Sequence, residues 1–466
     1  GHQIPVWIHK EDSTQIHVSV DGPNDPENWD RDPDVLDTWA SSWLWPMGVH
    51  SWPEGGNDLK KFYPTDVVVT GPDIIFFWVA RMIMTGYEFM DGLPFKDVYF
   101  TSILRDDTGR KLSKSLGNSP DPFDLFDEYG TDAVRFGTLL MAPQGLDVLF
   151  SKDRLEIGRN FMNKLWNACR FIQMNIPENW NNELDIDSAE LDLSDKWILS
   201  RLSKTIDDYN RQLDRFHFNE AAKVLYEFTW NDFCDWYVEI AKTRFYGNDE
   251  GKADIARTVS LKCIRTVLAL LHPYSPFITE DLWSHFKAAN ALDLIVDQWP
   301  ERDFKSLNDN AEKEMVLLQK VVTAIRSIRS RMNVPPSKFP DLVVRCDDDQ
   351  ASFLENHREL LKSLARIGEM TLGESIEKPG QSATAVVGGM EMYILLEGLV
   401  DLNQEKSRMG KRIGEINRLI TGINGKLSNE NFINRAPEHV VAKERTNLDR
   451  LTEELEKVTA NLEMLQ

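Results

Sequence analysis

Between residues 66 and 104 the apolar pattern changes period twice, and this constrains the fold more than any other stretch. Asp66-Val67-Val68-Val69-Thr70 is a short, nearly continuous apolar run, the pattern of a strand buried on both faces of a parallel sheet. Gly71-Pro72-Asp73 breaks it, and Ile74 to Met84 then carries helical spacing. Val98-Tyr99-Phe100-Thr101-Ser102-Ile103-Leu104 is a second run of the buried kind. Parallel strands need a crossover, usually a helix. Strand, helix and strand in this order therefore predict half of a doubly wound α/β sheet. Ligands of such sheets lie at the carboxyl ends of the strands, where Gly71, Asp73, Ile103 and Leu104 fall. Ile16 to Val20 alternates like a further strand.

Directly after the second strand comes Gly109-Arg110-Lys111-Leu112-Ser113-Lys114-Ser115-Leu116-Gly117-Asn118. Two lysines three apart, interleaved with serines and bracketed by glycines, make a poor core segment and a good flexible, cationic loop. Lysine is a compact charge on a long stem, suited to following a phosphate as its charge moves. Taken alone, the stretch reads equally well as a solvated surface loop.

Beyond residue 106 the pattern is mostly helical. Helices are expected from Pro122, from Gly130 and over Arg154 to Met174, followed by an acidic, Asn-rich linker over 177–192. From 193 to 335, Phe218, Ala221, Ala222, Leu225, Phe228, Phe233, Trp236 and Ile240 keep a helical period, as in a bundle core. Leu342 to Arg345 and Met392 to Leu396 read as strands around a helix between Asp349 and Ile367. From residue 402 apolar residues step by sevens, threes and fours on both sides of a polar turn at Ser428 to Glu438. That pattern predicts an antiparallel coiled coil. Its 65 residues carry 11 Lys and Arg against 10 Asp and Glu, where the rest of the chain carries 42 against 65. Relief from acidity suits an element that touches a polyanion, and an ordinary dimerisation coil fits the same residues. Arg326, Arg329 and Arg331 form a basic helix face that is either a polyanion contact or simply solvated.

The formal net charge of −22 excludes a generally basic nucleic-acid coat, though not a local basic track. The four cysteines are far apart and form no C-x-x-C, and the nine histidines show no ligand spacing, so no structural metal is expected. No run of about 18 apolar residues occurs, so no membrane span is expected. A chain opening at Gly1 in a strand-like run looks cut from a longer protein.

The lysine–serine loop resembles the Lys-Met-Ser-Lys-Ser loop of class I aminoacyl-tRNA synthetases, with Leu112 at the methionine position. Asp34-Val35-Leu36-Asp37-Thr38-Trp39-Ala40-Ser41-Ser42, Thr70 to Trp78, His272 to Trp283, Leu427 to Phe432 and Ala436 to Val441 are similar to the valyl-tRNA synthetase family. The family's His-Ile-Gly-His signature is absent, and there is no room for its editing domain. The resemblance thus implies a C-terminal portion, expected to be inactive in aminoacylation alone. The expected fold is multidomain: the second half of a Rossmann-like α/β catalytic domain (1–105), a loop and helical stem-contact region (106–190), an all-α anticodon-binding bundle (191–335), a small α/β module (336–401) and a coiled-coil arm (402–466).

The implied activity is valine–tRNA ligation, with ATP and Mg²⁺ as the substrate complex. The implied partners are valine and tRNA-Val, for a cytoplasmic monomer without membrane attachment. The resemblance assigns Lys111 and Lys114 to catalysis, and Gly71, Asp73, Ile103, Leu104, Lys111, Ser113, Lys114 and Ser115 to ATP. It assigns Trp39, Ile74 and Trp78 to the valine pocket. Two alternatives stand beside this reading: a tRNA-binding module without catalysis, and a portion of an isoleucyl-type synthetase. Apolar Ile74 and the absence of cysteine-rich zinc ligands speak against the second.

Overall fold

The computed structural model describes residues 1–178, 180, 184–187, 189–288, 291–397, 402–429 and 438–464. Strands β1 (Val6–His9), β2 (Ile16–Val18) and β3 (Trp29–Arg31) form an antiparallel sheet in the order β2-β1-β3. Strands β4 (Thr65–Thr70) and β5 (Phe95–Phe100) pair in parallel, with Thr65 opposite Phe95 and Thr70 opposite Phe100. A helical crossover joins them, so the strand–helix–strand unit is present.

Three details differ from expectation. The apolar run of β4 is covered on one face only. Val68 packs with Val79, Met82 and Phe95, whereas Val67 and Val69 on the other face are exposed, because no second layer lies there among the described residues. The crossover is not one α-helix from Ile74. It is a 3₁₀ turn (Pro72–Ile74), a π-helical turn (Ile75–Val79) and an α-helix (Ala80–Met90). The second strand ends at Phe100; Leu104 belongs to a separate strand β6 (Leu104–Arg105), parallel to β7 (Val148–Leu149).

Helices Thr131–Met141 and Lys152–Met174 cross at two glycines. A Cβ on Gly137 would lie 2.8 Å from the Arg154 carbonyl oxygen, and one on Gly158 2.4 Å from that of Ala133. Asp132 then accepts the Ile278 amide at 2.6 Å, at the start of helix Pro276–Phe286. Helix Leu193–Asp214 opens with a reciprocal capping box between Asp192 and Asp195. This satisfies amides that a helix start otherwise leaves unpaired.

The apolar stripe from Phe218 lies on one continuous rod: α over Phe218–Glu227, π over Phe228–Tyr237 and α over Val238–Phe245. The five-residue step from Phe228 to Phe233, both buried, suits π hydrogen bonding at i→i+5. Buried residues from Leu125 to Leu396, with Met409, make one contiguous core.

The segment from 342 to 395 holds a four-stranded sheet in the order β10-β11-β8-β9. Its strands are β8 (Leu342–Arg345), β9 (Met370–Gly373), β10 (Ser382–Val387) and β11 (Met390–Leu395). The single helix expected there is two, Asp348–Asn356 and Arg358–Ala365. At the C-terminus, helices Leu402–Leu427 and Glu438–Met464 lie side by side. Arg412 pairs with Glu454 and Lys426 with Glu444, a register that makes the helices antiparallel, around buried Ile416, Ile423 and Leu451. The polar turn over 430–437, the boundary at 398–401 and Leu465 lie outside the described residues, as do 179, 181–183 and 188 of the expected linker. Among the described residues no helix is long and apolar enough to cross a membrane.

Candidate functional site

The site begins where β4 ends. A Cβ on Gly71 would lie 2.6 Å from Asp73 Oδ1 and 3.6 Å from Ile103 Cδ1. Glycine is thus what allows the Asp73 carboxylate to fold back against the strand end. Asp73 does not cap the following turn. Its Oδ2 instead lies 2.8 Å from Lys111 Nζ, with both side chains about half exposed (51% and 56%). The hydrogen bond from Lys111 holds the Asp73 carboxyl below its ordinary range. Residues 38 apart in sequence, at the strand end and in the lysine–serine loop, are therefore joined directly.

Asp106 organises the base of that loop. Its carboxylate accepts from the Thr108 amide (3.0 Å) and hydroxyl (2.6 Å), the Arg110 amide (2.9 Å) and Asn118 Nδ2 (2.9 Å). These donors, Thr108 and Asn118 foremost, push its pKa far down. Asn118 also donates to the Lys111 carbonyl and accepts the Ser113 amide at 2.9 Å, closing the loop on itself. The Leu112 amide donates to the Leu104 carbonyl at 3.1 Å, which ties the loop to β6. The Ser113 and Ser115 hydroxyls are 2.7 Å apart. Lys114 starts a short 3₁₀ turn closed by Gly117 at φ +65°; it is exposed and makes no ion pair among the described residues. The loop is fixed at its base, with one lysine engaged and one available. Ile103 and Leu104 each already accept one backbone bond, from Val148 and Leu112.

Trp39 stacks on Phe77, with centroids 5.8 Å apart and planes at 24°. Trp78 donates its indole N–H to the Ser42 carbonyl at 2.8 Å and packs against the Val68 and Met82 core. Both therefore stand where helix Thr38–Ser42 meets the π-helical turn. Ile74 ends the 3₁₀ turn, so it and Trp78 are not related by the α-helical i, i+4 spacing. Sequence reasoning missed Phe77 and Asp106. The Asp106-Asp107-Thr108-Gly109 turn signature was the available signal for the second.

Arg326, Arg329 and Arg331 do not share one solvated face. Arg329 is buried, 8% exposed, and bonds to the carbonyls of Arg366 and Pro335. The described residues hold no cluster of His, Cys, Asp or Glu able to bind a metal, and all four cysteines are buried and free.

Three family models match the chain. One described as tRNA synthetases class I (I, L, M and V) covers residues 1–151. One described as the anticodon-binding domain of tRNA ligase covers 195–344, and one described as the valyl tRNA synthetase tRNA binding arm covers 401–466. The valine–tRNA ligase of Bacillus subtilis (strain 168) is 42% identical over 447 residues, 96% of this chain and 50% of that protein. That of Geobacillus kaustophilus (strain HTA426) is 42% identical over 468 residues, 100% of this chain and 53% of that protein. The chain thus spans about half the length of the curated relatives it matches. Among solved structures, the LeuRS of Agrobacterium radiobacter K84 agnB2, in a ternary complex with tRNA and LeuAMS, superposes with a TM-score of 0.52 at 20% identity. That match covers 72% of this chain and 49% of that one, a likeness of fold alone. With family models at its two ends and its middle, and relatives 42% identical along its length, the chain belongs to the valyl-tRNA synthetase family as a portion of such an enzyme.

Proposed function

We propose that the protein is a valine–tRNA ligase, and that this chain carries its lysine loop and its tRNA-binding half. The observation that carries the reading is the 2.8 Å contact between Lys111 Nζ and Asp73 Oδ2, which sets the loop over the end of β4. ATP enters as its Mg²⁺ complex. In the first step the valine carboxylate attacks the α-phosphate and pyrophosphate leaves. Charge builds on the leaving group, and cations positioned there lower the barrier. Lys114, exposed and without an ion pair among the described residues, takes the pyrophosphate. Lys111 shares its charge between the phosphates and Asp73, and the Ser113 and Ser115 hydroxyls donate alongside. Gly71 and Asp73 receive the ribose, and Ile103 and Leu104 border the adenine. Trp39, Ile74 and Trp78 enclose the valine side chain, with Phe77 backing Trp39. In the second step the terminal ribose hydroxyl of tRNA-Val takes the valyl group and AMP leaves.

The layout that goes with this function is the domain order set out from sequence: half of a catalytic domain to 105, a stem-contact region to 190, an anticodon-binding bundle to 335, a small module to 401 and a coiled-coil arm beyond. The protein acts as a cytoplasmic monomer. The chain holds no His-Ile-Gly-His signature, so alone it binds tRNA without activating valine. The test is a paired assay on this chain. Filter binding should retain tRNA-Val and weaken on deletion of 402–466, while valine-dependent ATP–pyrophosphate exchange should be absent. Failure to retain tRNA-Val, or measurable exchange, overturns the corresponding half of the reading.

A further inference from the structure

Where helix Asp309–Arg331 meets the end of helix Arg358–Ala365 there is a cleft of about 600 Å³ lined by Arg326, Arg329 and Arg366. All three guanidiniums bond to backbone carbonyls. Arg326 Nε donates to Leu364 at 2.9 Å, Arg329 donates to Arg366 and to Pro335, and Arg366 donates to Pro336 at 3.4 Å. None has a carboxylate within ion-pair distance among the described residues. The chain as a whole carries a net charge of −22. Elsewhere Arg105 pairs with Asp147, Arg201 with Asp232, Arg244 with Asp195 and Arg345 with Glu391.

Part of the charge is accounted for by the fold. Arginines near helix C-termini offset the partial negative charge there, about half a unit per helix. Two helix ends therefore answer about one of the three positive charges, and an excess of about two remains. Arg329 bears it least comfortably: it is 8% exposed, and burial and the neighbouring Arg366 both push its pKa down. A buried charge without an opposite partner is costly, and an anion in the cleft relieves that cost. Arg326 also lies over the Trp236 ring, 5.7 Å from its centroid. This holds its planar fork in place for a bidentate oxyanion.

The geometry points to a phosphodiester-binding site in this cleft, formed by Arg326, Arg329 and Arg366, that holds the RNA backbone of a bound tRNA. It rests on the reading that the chain binds tRNA. It also gives a task to a stretch that the three family models leave uncovered, 345–400, in which Arg366 lies. RNA is favoured over a protein carboxylate because the cleft is open, cationic and served by forked donors. Such a site positions a polyanion without reading its bases.

The test uses exposed Arg326 and Arg366 and leaves buried Arg329 in place. Binding of a tRNA-Val transcript is measured against salt concentration for the unaltered chain, R326Q/R366Q, R326K/R366K and R345Q, with thermal melts to check folding. Each lost phosphate contact should lower the slope of log K against log salt by about one. The glutamine double variant should therefore lose about two from the slope and bind about tenfold or more weakly at 0.1 M salt. The lysine pair should keep most of the slope, and R345Q should bind within about twofold of the unaltered chain. Equal affinity and slope for the unaltered chain and R326Q/R366Q would overturn the site, leaving the arginines to some other anion such as a protein carboxylate. If the unaltered chain retains no tRNA, the tRNA-binding reading fails first and this site falls with it. An effect of R345Q as large as that of the double variant would also overturn it, as general charge loss.

Discussion

Replacing Asp195 by alanine is a severe test of how the helical region is held together. Its carboxylate is fully buried and accepts from Arg244 Nη1 at 2.7 Å, Arg244 Nη2 at 2.9 Å and the Tyr237 hydroxyl at 2.7 Å. The same side chain accepts the Asp192 amide in the capping box. It thus joins the start of helix Leu193–Asp214 to the π-helical and α-helical parts of the rod ending at Phe245. Removing one partner of a buried pair leaves an uncompensated charge, which costs about 3–5 kcal/mol. Here Asp192, with its carboxylate 3.2 Å from Arg244, keeps part of the compensation and places the cost near the lower end, about 3 kcal/mol. The chain has several units, so a single unfolding midpoint is not the right observable. Hydrogen exchange followed by mass spectrometry is, read on peptides from 193–214 and 238–245. At 1.36 kcal/mol per tenfold, opening there should become about 100-fold more frequent. The double variant D195L/R244M removes both charges and should recover most of the loss. Protection changed by less than about threefold in D195A would refute the reasoning, as would a double variant worse than the single.

Two further outcomes follow from packing and burial. Gly158→Ala puts a methyl 2.4 Å from the Ala133 carbonyl oxygen; forcing the helices apart should cost about 1–3 kcal/mol, read as faster hydrogen exchange in peptides from 131–174. His357 is half-buried against Phe353, and burial lowers its pKa below 6.5, outweighing Glu314 and Asp192, which act to raise it. The folded state thus binds the proton less well than the unfolded one. Its contribution is complete above about pH 6.5 and is lost as pH falls through the lower folded value. Exchange protection of 348–365 should drop on acidification, and His357→Phe should flatten that dependence.

Much of this molecule was legible in local pattern, and what was not has physical reasons. The helices of the bundle follow from apolar spacing, because helical residues meet near neighbours in sequence. The π-helical stretches at Ile75–Val79 and Phe228–Tyr237 hid in that spacing, although the five-residue step between Phe228 and Phe233 was there to be read. Strand β10 was missed because Ser382-Ala383-Thr384-Ala385 is small and weakly patterned. Yet Gly388-Gly389, with φ of +58° and +86°, is the two-residue hairpin signal that joins it to β11. The lysine–serine loop stood out by composition. Its tie to Asp73 did not, since no local rule joins residues 38 apart. Nor could the sequence say that Arg329 turns inward to meet Arg366 while Arg331 does not line that cleft.

The central claim is that the lysine loop, set over β4 by Asp73, carries the charge that develops on pyrophosphate. The most direct measurement is valine-dependent ATP–pyrophosphate exchange by the full-length protein with Lys114→Ala. A positioned donor acting on developing charge is worth about 10²–10³ in rate, so kcat should fall by that factor with the KM for valine unchanged. An unchanged kcat, or a loss confined to the KM for valine, would contradict the account.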